Sequence, residues 1–486
     1  MQSSPDNVLV FADLHRPQLP AWQVTCFTVN AVMGSGFLGV PAAFAASGIL
    51  LGVGVLIVVT VALWAATCML TEVAARAHAL LTESSVESWL TPTLASFGGG
   101  GGAGKGRPAL AIPSHISYEC CMLCRLLLGK SAERAVMASI VAYMVGTLWS
   151  FISVFASSLT AAVRLPFIAA APCDMYKTDI YGGGCIDLYY GWVGIFFVAM
   201  CALTLFEVRE QVGFQIFMTV LRVLVILTMV ATLVWGDPSD FDASEAAPPS
   251  EPVPLVRVAG LGAMLPIAIF CQLFQIAVPT LLEPLGDKRA FRRVFGGALA
   301  LTFAGYTLLA VVAVRAFGAS VDPSSNLMWS GYANPAIALG VGLFPALDTL
   351  SVFPMNNCFL ANNVMAVVEG KRWHAGHVSR RSRIRYRLAC VLPPFACAVA
   401  FPSLAKALGF TGIIGIMLPF LVTPLLHVAS LDECHARWGK DAFDRAEAEA
   451  GFSTPTISSP AFVRAFGVFG VLLLAFCVGS GFVYGF

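Results

Sequence analysis

The residues best placed to do chemistry are few, and they interrupt long apolar runs. Residues 28–41 read Thr-Val-Asn-Ala-Val-Met-Gly-Ser-Gly-Phe-Leu-Gly-Val-Pro, with Asn30 one turn before Gly34, Ser35 and Gly36, and Pro41 beyond them. In a helix interior glycine costs about 1 kcal/mol and proline about 3, so a helix through this stretch is expected to break. A break frees backbone N–H groups that can hold a carboxylate and carbonyls that can hold an ammonium group or a metal cation. Gly-x-Gly also serves close helix packing, but the proline and Asn30 favour the break. A second interruption sets Phe270, Cys271, Gln272, Leu273, Phe274 and Gln275 between Pro266 and Pro279. Two lone ionisable residues, Arg222 and Asp348, stand inside other apolar runs, with Thr349 and Ser351 close behind. Such charges cost roughly 2.5–3.5 kcal/mol each at the centre of a bilayer. Two readings stand for Arg222: a structural one, bonding free carbonyls or snorkelling, and a pairing with Asp348.

These residues need a membrane frame to position them. The chain has 486 residues, 58% hydrophobic and 12% charged, with a mean hydropathy of +0.79. Soluble proteins carry about 25% charged residues, and the apolar runs here reach the roughly 20 residues that cross a bilayer. Eleven spans are expected: 21–46, 48–71, 133–163, 188–206, 212–235, 258–281, 295–315, 336–360, 386–403, 408–429 and 461–484. Most of the 29 Lys and Arg fall at 72–132, 207–211, 282–294, 361–385 and 430–460 or at the margins of these stretches. The positive-inside rule then puts the N-terminus in the cytosol and the C-terminus outside. The divisions that follow are a tail at 1–20, a first repeat at 21–235 with an inner Gly-rich loop at 72–132, and an acidic, Pro-rich outer loop at 236–257. A second repeat at 258–429, an inner loop at 430–460 and a last helix at 461–486 complete the chain. Residues 1–20 lack the apolar core of a cleavable signal, so the first span is expected to direct insertion.

The remaining motifs mostly exclude functions. A net charge of +1 argues against nucleic acid as a partner. Residues 99–105 read G-x-x-x-x-G-K, but Gly106 stands where a phosphate-binding loop needs Ser or Thr, and no strand precedes it. No nucleophile has an adjacent base, so no catalytic residue is assigned and no enzyme is expected. His374, His377 and His427 lack partners at ligand spacing, and no metal site is expected. Cys120, Cys121 and Cys124 are open to acylation or to packing. Glu283 and Asp287, beside Lys288 and Arg289, read as solvated inner-loop pairs. Residues 373–387 form a basic inner loop that reads as a topology signal. Cys173 and Cys185 share an outer loop in which a disulfide can form.

Beyond the residues themselves, "NAVMGSGFLGVPAAFAASG" at 30–48 resembles the first span of the amino acid/auxin permease superfamily. The likeness continues in "FEVREQVGFQIFMTVLRVLVIL" at 206–227, "GAMLPIAIFCQLFQIAVPTLLEPLGDKRAFRRV" at 262–294 and "GLFPALDTLSVFP" at 342–354. Within the superfamily the chain most resembles its orphan transmembrane protein 104 branch. The resemblance implies an all-α polytopic membrane protein: a LeuT-like 5+5 inverted repeat plus one extra helix, with helices one and six broken. It implies secondary transport of amino acids or related small solutes, coupled to H+ or Na+, with no other cofactor. Gly34, Ser35, Gly36, Phe37 and Leu38 would then meet the substrate on one side, and Phe270, Cys271, Gln272 and Gln275 on the other. Asn30 matches a sodium-binding Asn of the superfamily. The hydroxyl expected to partner it in span eight is not evident, and Arg222, Asp348, Thr349 and Ser351 stand nearby instead. A sensor that keeps the fold without transporting is the second reading. The partners expected are an amino acid and a lipid bilayer, either plasma membrane or an endolysosomal or other organelle; no sorting signal chooses, and nothing sets the oligomeric state.

Overall fold

The computed structural model describes residues 18–34, 36–83, 110–112, 118–168, 170–176, 184–205, 212–241, 253–369 and 378–484. Ser35, the Gly-rich 97–107 stretch with its phosphate-loop look-alike, most of the acidic outer loop, and His374 and His377 lie outside the described residues. Regular structure among the described residues is helical, apart from one isolated bridge between Leu19 and Leu285. We number the helices α1 (Ala21–Val32), α2 (Gly36–Ser47), α3 (Ile49–Glu83), α4 (Cys120–Leu127), α5 (Lys130–Ala162), α6 (Cys185–Leu203), α7 (Val212–Trp235) and α8 (Leu261–Gln272). There follow α9 (Val278–Leu282), α10 (Phe291–Phe317), α11 (Pro335–Val368), α12 (Arg380–Ala400), α13 (Leu404–Gly415), α14 (Thr423–Trp438), α15 (Lys440–Ala450) and α16 (Pro460–Tyr484).

Eight helical stretches are long and apolar enough to cross a membrane, and α1 with α2, bent by 57°, makes a ninth. The chain is a multi-pass integral membrane protein. Leu50, Val61, Leu224, Leu227, Val471 and Leu472 stay exposed, and in a bilayer that apolar surface faces lipid, which needs no polar cover. Two of the eleven expected spans fall short of that test. Helix α12 opens with Arg380, Arg381, Arg383, Arg385 and Arg387, and α8 stops after 12 residues.

Several boundaries differ from the sequence reading. Helix α3 runs to Glu83, well into the stretch expected to be loop, because Glu72 and Arg76 are paired in the interior rather than solvated. The 430–460 stretch is largely helical, comprising the end of α14 and all of α15. Glu283 and Lys288 are buried rather than solvated, and the Lys288 ammonium donates to the carbonyls of Leu282 (2.8 Å) and Glu283 (2.5 Å). Cys173 and Cys185 form a disulfide at the start of α6. Cys120, Cys121 and Cys124 are buried in α4, the packing alternative.

The two broken spans run antiparallel and are tied together at both ends. At one end Leu19 N–H donates to Pro284 O (2.7 Å) and Gly286 N–H to Leu19 O (3.1 Å). At the other, Arg257 N–H donates to Ser47 O (2.7 Å) and Leu50 N–H to Leu255 O (2.9 Å). Helix α13 then presses on α8 so closely that a Cβ at Gly412 would sit 2.0 Å from Pro266 O.

That contact is backbone on backbone, so a side chain must push two helices apart. Gly412→Ala should cost more than about 2 kcal/mol and lower the detergent-solubilised melting temperature. Gly479→Ala, with open space around it, should leave it unchanged. The α4 thiols give a second expectation. Burial pushes Cys121 and Cys124 up to about 12; since the thiolate is the nucleophile, their maleimide labelling should be slow at neutral pH. It should rise about tenfold per pH unit as more thiolate forms, and labelling near the rate of a free thiol at neutral pH would contradict this burial.

Candidate functional site

A cavity of about 50 Å³ lies where the loosened ends of the broken spans meet α5 and α11. Helix α1 ends at Val32 and α2 starts at Gly36; α8 ends at Gln272 and α9 starts at Val278. Leu273 is already extended, with ψ 122°. Asn30 and Gly34 line one wall, Phe270, Leu273 and Phe274 the opposite one. Helix α5 adds Tyr143, Thr147 and Phe151, and α11 adds Met355, Asn356 and Phe359. The lining is apolar apart from uncharged amides and hydroxyls. Phe151 crowds Gly34, since a Cβ there would lie 3.1 Å from that ring. Gly36 is required by the opposite break, because its Cβ would lie 2.7 Å from the Cys271 sulfur.

Next to the cavity sits a buried ion pair. Arg222 of α7 donates from one Nη to Asp348 Oδ1 of α11 (2.5 Å) and from the other to Asn30 Oδ1 of α1 (3.0 Å). All three are nearly inaccessible, at 1%, 2% and 3% exposure. One guanidinium therefore joins spans one, five and eight. The Thr349 and Ser351 hydroxyls are spent on their own helix, donating to Ala346 O (2.9 Å) and Asp348 O (2.8 Å). Arg222 is held with Asp348 as its counter-ion, one of the two sequence readings.

The other candidate residues divide into lining and support. Phe270 lines the cavity, whereas Gly36, Phe37, Leu38, Cys271, Gln272 and Gln275 do not. Gln272 Oε1 accepts from the Thr302 hydroxyl of α10 (2.8 Å). Gln275 donates to Leu63 O of α3 (3.0 Å) and accepts from Phe274 N–H (3.1 Å). Both glutamines thus anchor the second break to its neighbours, because an unwound backbone in lipid needs such partners. Ser35 lies outside the described residues. The sequence reading missed Tyr306 of α10, fully buried, whose hydroxyl lies 3.3 Å from Val32 O and 3.2 Å from Cys271 O. It also missed Tyr143, Thr147 and Asn356; polar residues inside otherwise apolar spans were the available signal. No cluster of His, Cys, Asp and Glu suited to a metal occurs among the described residues.

Comparison with known proteins adds a family. The model of the family described as "Transmembrane amino acid transporter protein" matches residues 18–446, which include both breaks, Arg222 and Asp348. Transmembrane protein 104 of Mus musculus is 24% identical over 235 residues, 47% of this chain. The match spans 45% of that relative's own length.

The buried pair yields an asymmetric expectation. Removing one partner from a buried ion pair strands the other and costs about 3–5 kcal/mol, while replacing both by apolar groups is far milder. Arg222→Met and Asp348→Leu should each lower the melting temperature and yield sharply, and the double variant should recover much of the loss. Additive losses in a thermal-shift double-mutant cycle would show that the two side chains do not interact.

Proposed function

The chain belongs to the transmembrane amino acid transporter family, and from that premise we propose that it carries small, net-neutral amino acids by alternating access around this cavity. The observation that supports the reading most is the cavity's place, between two helix breaks and among uncharged polar groups. A zwitterion needs donors for its carboxylate and acceptors for its ammonium group. Broken helices supply both as backbone dipoles, at no cost of burying a further ionised side chain. The carboxylate meets the N–H groups of Gly34 and Gly36, and the amine meets carbonyls freed at the ends of α1 and α8. At about 50 Å³ the cavity is far below the roughly 300 Å³ of open ligand sites. Admission of substrate therefore requires α1 and α9 to swing away from α5 and α11, with Phe270 and Phe274 as gates.

In this reading helices α1–α7 and α8–α14 form two inverted five-span repeats, and α16 is the eleventh span. The N-terminus is cytosolic. Arg222 stands as a fixed cation among α1, α7 and α11, so sodium has no vacant place to fill and a proton is the coupling ion.

Counterflow in proteoliposomes with a panel of labelled amino acids tests the reading. Exchange of small neutral amino acids should persist when sodium is replaced by choline, and strict sodium dependence would remove the fixed-cation role of Arg222. Gly36→Leu, driven against Cys271, should lower exchange more than about tenfold with unchanged membrane insertion; undiminished exchange would remove this site. Binding without exchange would instead favour a sensor.

A further inference from the structure

Away from the cavity, four ionisable side chains meet in the interior between α3, α14 and α15. Glu72 and Arg76 lie one turn apart on α3, and both are fully buried. Arg76 Nε donates to Glu447 of α15 (2.7 Å), and its Nη1 reaches His427 O and Ser430 Oγ of α14 (3.3 Å each). His427 Nε2 lies 2.9 Å from Glu72 Oε2. Glu72 also accepts from Thr454 N–H and from the Ser458 hydroxyl, both at 2.8 Å. Two carboxylates thus share the Arg76 guanidinium, with Arg292 of α10 as a second cation beside them, and His427 is the one of these groups whose charge ordinarily changes near neutral pH. A buried charge is tolerated only when it is paired.

We propose that His427 and Glu72 form a proton-binding site whose occupancy locks α15 and residues 451–458 against α3. Neutral His427 gives its Nε2–H to Glu72; a proton taken from water by the other ring nitrogen turns that hydrogen bond into an ion pair. Arg292 of α10 is the other charge facing this segment, a second cation held just past the end of α15. It donates to Gly451 O, Phe452 O and Ser453 O and to the Thr454 hydroxyl. Cys68 of α3 and Cys434 of α14 are buried beside the cluster. A second histidine, His435, meets Asp444 across the α14–α15 turn at 2.8 Å, but that pair is partly exposed, and such pairs are worth little. The site joins the arm formed by α14 and α15 to a helix that also holds Gln275 through Leu63 O. Locking the arm therefore bears on the second break through α3 itself. The inference stands on the cluster and does not need the substrate reading.

Hydrogen–deuterium exchange on the full chain in nanodiscs, corrected for intrinsic rates, tests it. Peptides covering 440–458 should be about fivefold or more better protected near pH 5.5 than near pH 7.5, since the lock needs the protonated ring. His427→Gln, which keeps a donor but cannot ionise, should abolish that difference, and His435→Gln should keep it. An unchanged pH response in His427→Gln overturns the proposal. Should that variant fail to fold, C2–H exchange of His427 in the wild-type chain decides: a titration between about pH 5 and pH 8 supports the site, and its absence overturns it. Counterflow on the same samples separates this outcome from the carrier reading, because a chain that locks with pH yet exchanges no amino acid sinks only the latter.

Discussion

A guanidinium held in an apolar bundle constrains everything around it. Arg222 cannot lose its proton, so the fold must supply a negative partner and further acceptors at the same depth. Asp348 supplies the charge and Asn30 a carbonyl oxygen, which fixes α1, α7 and α11 relative to one another. The first break begins two residues after Asn30, at the end of α1. A strained backbone therefore sits against a rigid ionic support, and the cavity opens where that support leaves room. The small lining residues, Gly34 among them, follow from the same crowding.

The second ionic cluster is built on the opposite principle. Around Arg222 one cation meets one carboxylate; around Arg76 two carboxylates, Glu72 and Glu447, lean on it and a histidine joins them. A chain with only 12% charged residues places two such clusters in its interior, and they differ in the property that matters. The first is a single guanidinium–carboxylate pair with no histidine in it. The second contains histidine, the side chain that changes charge near neutral pH. Structural fixation suits the one and response to protons suits the other.

Much of this was legible in the sequence where a rule is local. Glycine and proline inside apolar runs marked both breaks, and the loneliness of Arg222 and Asp348 marked them as candidate partners. What was not legible depended on contacts between distant segments. Gln272 and Gln275 looked like wall residues because amides in lipid are rare; they turn instead to Thr302 and Leu63, since the unwound backbone beside them needed bracing. Glu72 and Arg76 looked like the start of a loop because charge ordinarily ends a span. Their partners lie more than 350 residues away, and no window on the sequence contains them. The eleven-span count met a different limit: at α12 the helix opens on a run of arginines, and nine stretches among the described residues are long and apolar enough to cross.

Tyr306 shows why the two breaks should be treated as one device. Its hydroxyl lies within hydrogen-bonding distance of Val32 O at the end of α1 and of Cys271 O near the end of α8. A phenol has a single proton, so it donates fully to one carbonyl only by weakening its bond to the other. Both carbonyls sit where helix continuity is being lost, and in a dry interior an unpaired carbonyl is expensive. Any shift of α1 that lengthens the bond to Val32 O frees the proton for Cys271 O. Helix α10, which carries Tyr306 and Thr302, thus bonds at the ends of both breaks.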